Sequence, residues 1–527
     1  MLGRVPAQAS LDEARFTHRH LLSSGSFYER LADHGHELVC DDDFAHLYDP
    51  DTGRPSVPPS IMLRALLCAI HDNVCGDREI ARRTRIDLDW KAAMGVSADF
   101  AGIAATTFSL FRSRLLVRDD DRAILERTLQ RAVDVGIMVG RRTAIIDSSP
   151  VAGAGAVADT YTLIRKLLEK LVRAAGGLLD DELQQAASPY LGGKPDIDWH
   201  DPKARKRLLG ELVAAATLIR QATADLDDAA VVEASGLLGA VIDQDIDTDE
   251  HGRPQIRRGV ASDRIISHSD PEMRHGRKSS SRRFNGHKLH LVSDEDSELI
   301  LDVAVGPGNG GDGEQAAGAV SRVNDTLERV SDGASQVATL IGDMAYSDGD
   351  VRTDVEAAGV ELVAKVPDLH NGGRFTKQDF DIDLEAGTVT CPAGNTTATS
   401  HACKDNKGRA ARRFRFDDDT CRACPLRDQC VKGERGRTVT VGVHHQRIEA
   451  ARKAQTHDPE TVRLLRARAK VERKIDHVQD VGMRKARYRG RRKTTLQARL
   501  AATVVNLKRL VVLDAWGTTP RASPQAA

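Results

Sequence analysis

The spacing of apolar residues changes along this chain, and the changes divide it. From about residue 20 to 135 they recur at helical spacing, as at Ile61, Ala65, Leu66, Ala69 and Ile70, and predict a helical region. Within it, Asp77 to Ser97 reads as two short helices that either form a helix-turn-helix or simply pack in a bundle. At Arg142 the pattern turns to β. Ala144 to Ile146 is a β-branched run broken by Asp147, Ser148 and Ser149, which predicts a buried strand with Asp147 at or near its end. Helix-rich sequence returns from Asp159 to Ala222, followed by an acidic stretch and the polar loop HSDPEMRHGRKSSSRR. FNGHKLHLVSD and ELILDVAVGPGN then predict an antiparallel hairpin. An amphipathic helix leads to a further buried strand, VATLIGDMAYSD, with Asp343 close to its C-terminal end. A helix ending at Gly359, the strand VELVAKVP, a cysteine-bearing segment of short strands and a long basic helical segment complete the order.

Charge sharpens this picture only when read by segment. The 527 residues carry a formal net charge of −1, yet Arg435 to Leu510 holds 21 Lys and Arg against 6 Asp and Glu. Glu211 to Glu250 is the reverse, with ten acids and one base. The basic stripe attracts phosphate backbones and the acidic one does not face them. The N-terminus lacks the apolar run of a secretory signal, and the longest apolar stretch is too short to span a bilayer. Membrane association is therefore excluded and a cytoplasmic location expected.

Cys40, Cys68 and Cys75 stand singly, whereas five cysteines cluster between 391 and 430. Cys421-x2-Cys424, with Cys430 downstream and Cys391 and Cys403 upstream, predicts a structural zinc in a reducing compartment. Cys391, Cys421, Cys424 and Cys430 are the expected ligands, and free surface thiols are the alternative.

The candidate chemistry rests on acids in matching contexts. Asp147 leaves the first strand and Asp343 the fourth, so if those strands are neighbours both carboxylates reach one divalent cation, Mg²⁺ or Mn²⁺. Glu472, in the basic helix, is the candidate third ligand, and Arg468 one turn earlier shares its face. Taken alone, Asp147 reads as a turn cap, Asp343 as a loop-start acid and Glu472 as a surface ion pair with Arg468. Together they point to metal-assisted displacement at phosphorus. Lys288 and His290 share one face of the hairpin and are candidates for phosphate contact and for lining the site, while His287 reads as a solvated edge position. The segment KARYRGRRK is too rich in arginine and glycine for a packed helix. Its arginines and their neighbour, Arg484, Arg487, Arg489, Arg491 and Arg492, are expected to contact phosphate. GPGNGGDGE follows no phosphate-loop pattern and reads as a turn.

Several pieces then resemble one family. They are IIDSSPVAGAGAVADTYTLIR, DPEMRHGRKSSSRRFNGHKLHLV, LIGDMAYSD, CPAG with CRACPLRDQC, and RARAKVERKIDHVQDVGMRKARYRGRRKTTLQARLAATVVNLKRL. They are similar to bacterial insertion-sequence transposases of the DDE type, and VPPSIMLRALLCAIHDNVCGDREIARR resembles the helical domain preceding the catalytic core in that group. The resemblance implies an α/β fold: an RNase H-like mixed-sheet core (140–155, 280–368 and 440–512) with a helical N-terminal DNA-binding domain (1–135). It also implies a helical insertion (156–279), a small Cys-rich β insertion (369–439) and a disordered tail (513–527). It implies Asp147, Asp343 and Glu472 as the catalytic, Mg²⁺-binding triad, double-stranded DNA as partner, both inverted-repeat ends and target, and a homodimer on that DNA. Of the related signature Tyr-x2-Arg-x3-Glu-x6-Lys, Arg468 and Glu472 stand, with Leu465 and Gln479 in the flanking positions. Two other functions stay open: a DNA-binding protein that has lost its chemistry, and a metal-dependent nuclease that does not join.

Overall fold

The computed structural model describes residues 1–6, 8–117, 119–279 and 281–516. The N-terminal region is helical, as its periodicity predicts, and includes α1 (Pro59–His71), α2 (Asp77–Ile86), α3 (Leu88–Met94) and α4 (Asp120–Asp134). Asp87 caps α3 by accepting from the Trp90 N–H, and Gly95 closes it in the left-handed conformation. Trp90 to Met94 are all buried, so α3 has no free face with which to read DNA. Of the two readings of Asp77 to Ser97, the packed bundle is the one the structure supports.

The core is a six-stranded mixed sheet. Its strands are β1 (Gly140–Ala152), β2 (Arg274–Arg277), β3 (Arg283–Asp294), β4 (Ile300–Pro307), β5 (Ser335–Gly342) and β6 (Glu361–Ala364). The order is β2-β3-β1-β5-β6, with β4 also paired to β3. β3 is antiparallel to β1, β2 and β4, whereas β1, β5 and β6 run parallel. This is the expected α/β architecture, in keeping with an RNase H-like core beside a helical N-terminal region.

Strand alternation gives the sheet two apolar faces. Ala144, Ile146, Val292 and Leu340 pack with Val320, Val323 and Leu327 of α8 (Ala316–Ser331) on one face. Ile145, Leu291, Ile300 and Ile341 face the other way and join a core shared with the N-terminal helices. The last two major helices, Ala469–Val478 and Arg491–Val512, belong to that same core. Residues 1–135 thus pack directly on the sheet. Asn506, fully buried, pins the junction: its Oδ1 accepts from the Ile300 N–H at 2.7 Å, and its Nδ2 donates to the Ile300 carbonyl and to Thr128.

Between β1 and β2, the helices α5 (Thr160–Ala175), α6 (Pro202–Ala222) and α7 (Ala229–Asp245) enclose their own core around Leu167, Leu212 and Leu238. After β6 the cysteine-bearing segment forms two small sheets, one of them from β7 (Ser400–Lys404), β8 (Ala410–Arg415) and β9 (Thr438–Gly442). They close over a small core of Phe380, Val389, Phe414, Phe416, Val439 and Val441. The helix α9 (Ala469–Val478) and the helix α10 (Arg491–Val512) complete the fold.

At the C-terminus the expected disorder from residue 513 is corrected for the first few positions. Ala515 is buried and Trp516 stacks on His34 at 4.6 Å between ring centroids, because the indole also packs against the apolar core. The rest of that expectation, 517–527, lies outside the described residues. No helix among the described residues is long and apolar enough to cross a membrane.

Candidate active site

The register of β1 against β5 brings the two aspartates together. Their last aligned pair is Ile145 with Ile341, and Asp147 and Asp343 each lie two residues further on. A step of two keeps a side chain on the same face. Both acids therefore share the face of Ile145 and Ile341, the face covered by Val471, Ile475 and Val478 of α9. Glu472 is on that helix, and Asp147, Asp343, Arg468 and Glu472 line one cavity.

Asp147 does not end its strand, contrary to the local reading. β1 continues to Ala152 because β3 pairs with it throughout, Asp147 standing opposite Leu291. Past Ile145 β5 no longer pairs with β1, and the 484–486 segment takes that edge only at Ala152, so Pro150 forfeits no ladder bond there. Asp343 does leave its strand. It caps the turn Met344–Tyr346, its Oδ1 accepting from the Ala345 N–H at 2.8 Å.

Arg468 joins the acids. Its Nη1 lies 3.2 Å from Asp147 Oδ2, and its Nη2 pairs with Glu472. The Asp147 side chain is only 16% exposed, against 54% for Glu472. Burial pushes the Asp147 carboxyl up to about 6, with Asp343 and Glu472 adding to the rise while the Ser148 N–H and Arg468 oppose it. Gln479, at the signature's lysine position, donates to Ser149 Oγ at 2.6 Å and ties the end of α9 to β1. Leu465, at the tyrosine position, packs against the apolar core. Among the described residues, no three His, Cys, Asp or Glu side chains form a ready-made metal cluster.

The hairpin residues divide. Lys288 lines the same cavity, but its ammonium is held by Asp312 at 2.8 Å and by the Gly310 carbonyl. The glycine-rich turn thus serves as an anchor for Lys288. His290 is 3% exposed, and burial lowers its pKa to about 4, so it is neutral near pH 7 and is corrected as a phosphate contact. His287 is no solvated edge residue either. β1 and β4 cover β3 on both sides there, and the buried imidazole meets the buried Asp270 at 3.3 Å.

The basic stripe is largely spent on the fold. Lys470 pairs with Glu295, and Arg473 and Lys474 with Glu298, so the acidic β3–β4 turn grips the back of α9. Arg487 donates to the Val74 carbonyl and Asn73, Arg491 pairs with Glu272, and Arg492 with the buried Asp121. Those three are corrected from DNA contacts to internal ties, since neighbouring elements bring each a partner. Arg491 and Arg492 also open α10, so this part of KARYRGRRK is helical after all. Arg484, paired only with the exposed Asp480, and Arg489 remain on the surface. Sequence reasoning passed over Arg277 and Lys278, which line the cavity of the acids. Their signal was the segment RKSSSRR, two pairs of cations around three serines with no acid among them.

Cys391, Cys421, Cys424 and Cys430 line one small pocket, and Cys403 on β7 is not among its walls. Burial and the three neighbouring thiols raise the pKa of Cys430, while Arg437 opposes them.

Two family models match the chain. One, described as a Transposase DDE domain, covers residues 390–511 and so includes Glu472 and the four cysteines. The other, described as Transposase domain (DUF772), covers residues 16–114. No curated protein and no solved structure matches. Asp147 and Asp343 lie outside both matched segments, on and just past strands that the two segments pack against. A transposase domain is thus matched at either end of the chain, one core joins the two segments, and the matches support an insertion-sequence DDE transposase with an N-terminal domain.

Proposed function

We propose that this protein cleaves DNA at the ends of an insertion sequence and joins the freed ends to target DNA. The observation that carries the reading is the common offset of Asp147 and Asp343 from one register pair, on the sheet face where α9 presents Glu472. The donor set suits a hard divalent cation: five acids line the cavity, of which Asp312 is taken by Lys288, and no histidine or cysteine does. Burial, with Asp343 and Glu472 adding to it, raises the Asp147 pKa, and a bound cation would favour its ionised form. Asp147, Asp343 and Glu472 would hold Mg²⁺ or Mn²⁺, which supplies Lewis acidity at phosphorus and an activated water.

The chain's own groups do the rest. The Ser148 N–H, 2.7 Å from Asp147 Oδ1, fixes that carboxylate, and the Gln479–Ser149 bond holds α9 in register with it. Arg468 keeps Glu472 turned inward and is placed to bind a phosphate oxygen when Asp147 turns to a metal. Phe284 and Ile475 give the cavity apolar walls, which strengthen these interactions by excluding water. No side chain need bond covalently to DNA. Joining two ends to a target calls for two copies, so a homodimer on double-stranded DNA is part of the proposal, acting in the cytoplasm.

The test uses linear DNA carrying the repeats that flank the coding region. Mg²⁺-dependent nicking at the repeat followed by strand transfer is expected. Binding without cleavage would leave a DNA-binding protein, and cleavage without joining a nuclease.

Cys391, Cys421, Cys424 and Cys430 are proposed as ligands of a structural zinc. The pocket they share and the mutual effect of their thiols support this, and a core of six apolar side chains is small for the segment it holds. Metal analysis of purified protein should find one zinc per chain. It should be lost in the Cys421→Ser, Cys424→Ser double variant and kept in Cys403→Ser. Zinc-free wild-type protein that folds fully would end this assignment.

A further inference from the structure

The hairpin formed by β2 and β3 carries four cations at its tip: Arg277, Lys278, Arg282 and Arg283. All four are exposed. Arg274, at the start of β2, pairs with Asp263 at 2.6 Å, but among the described residues these four have no acidic or carbonyl partner for their side chains. Arg277 and Arg283 also stand directly opposite each other in the antiparallel ladder. Like charges so placed destabilise a strand pair. The tip therefore costs the fold stability.

The root of the hairpin is close-packed. Gly276 faces Phe284 across the ladder, and a Cβ at 276 would come within 2.2 Å of the Phe284 ring and 2.4 Å of the Gly308 carbonyl oxygen. Gly286, with φ of +153°, has the Val151 carbonyl oxygen 2.2 Å from where a Cβ would be. These contacts fix the arm against β1 and the turn after β4. Its inner residues, Arg277, Lys278 and Phe284, line the cavity that holds Asp147, Asp343 and Glu472.

We infer that this hairpin is an arm that grips the DNA phosphate backbone beside the scissile bond. Arg277 and Lys278 hold phosphates next to the reacting one, and Arg282 and Arg283 hold those further out along the same backbone. The inference rests on the transposase reading and adds to it where the polyanion lies. Arginine and lysine bound to phosphate position a duplex without reading its bases. The arm therefore serves element ends and unrelated DNA alike.

The test compares full-length wild type with the variant Arg277→Ala, Lys278→Ala, Arg282→Ala, Arg283→Ala. DNA binding is measured by fluorescence anisotropy between 50 and 200 mM salt in Ca²⁺, with repeat-bearing and unrelated duplexes. Four lost phosphate contacts reduce the slope of log affinity against log salt by about 3.6, so wild type should lose on the order of 100-fold more affinity than the variant across that range. The pair Arg277→Gln, Lys278→Gln, which preserves the tip's length and polarity, should show a difference of about tenfold. Both effects should be equal on the two duplexes.

If the variants keep the wild-type slope while wild type still cuts DNA in Mg²⁺, the arm is overturned and the function stands. If wild type shows no salt-dependent DNA binding, both fail. A change of oligomeric state with unchanged DNA affinity would instead assign the cations to the acidic surface of a second copy, and would also overturn the arm.

Discussion

Replacing Asp343 with alanine should remove DNA cleavage by roughly 10³-fold or more, the loss expected when about 4 kcal/mol of metal-borne transition-state stabilisation goes. DNA binding should survive. The prediction is sharp because the residue does little for the fold. Among the described residues its side chain makes one hydrogen bond, which caps a three-residue turn, a role worth about 1 kcal/mol. A stability loss of that size cannot account for a catalytic loss three or more powers of ten deep. Glu472→Gln offers a second arm with even less structural effect. Its partner is Arg468 in a pair more than half exposed on the Glu472 side, and such pairs contribute under about 1 kcal/mol. Single-turnover cleavage, anisotropy and thermal unfolding on the same samples separate the roles. Cleavage within tenfold of wild type in both variants would remove these acids from the mechanism.

Asp147→Asn should stabilise the metal-free protein, and by an amount that depends on pH. The folded state raises the carboxyl from its ordinary 3.8 to about 6, so folding favours the protonated form. The contribution is thus fully present below pH 4 and is lost as pH rises through 6. Wild type then carries an ionised, mostly buried acid at a cost of about 3 kcal/mol, which asparagine avoids. In EDTA the unfolding temperatures of variant and wild type should be close at pH 4 and diverge up to about pH 7. Added Mg²⁺ should narrow the gap by stabilising wild type alone. A gap that stays constant with pH would mean that Asp147 is not desolvated as its burial implies.

The cost of an ionised Asp147 is not legible in the sequence. Neither the burial of the side chain nor the proximity of Asp343 is local: the first comes from α9 laid over the sheet, the second from β5 pairing beside β1. The string Asp147-Ser148-Ser149-Pro150 has every mark of a strand ending in a turn. It stays extended because β3, about 140 residues away in sequence, supplies a ladder on one edge. Pairing overrode propensity there, as it commonly does in strands.

The basic stripe shows the same division. That Arg468 and Glu472 meet follows from a spacing of four on one helix. That Lys470, Arg473 and Lys474 are unavailable to DNA does not, since their partners lie on the β3–β4 turn. A count of charges along the chain overstated the grip on DNA at this stripe and overlooked the β2–β3 hairpin, whose tip holds four exposed cations without an acidic partner among the described residues.

What the sequence determined by itself was therefore local. It contained the order of helices and strands, the hairpin, the helical pairing of Arg468 with Glu472, the cysteine spacing and the resemblance to transposases. Periodicity, turn chemistry and motifs act over a few residues, so one strand of letters contains them. Only the tertiary structure decided which acids share a face, which cations are already neutralised, that His287 and His290 are buried, and which four cysteines share a pocket. Those facts depend on strand register and on helices packed across hundreds of residues, and charge and burial are properties of the neighbours that such packing brings.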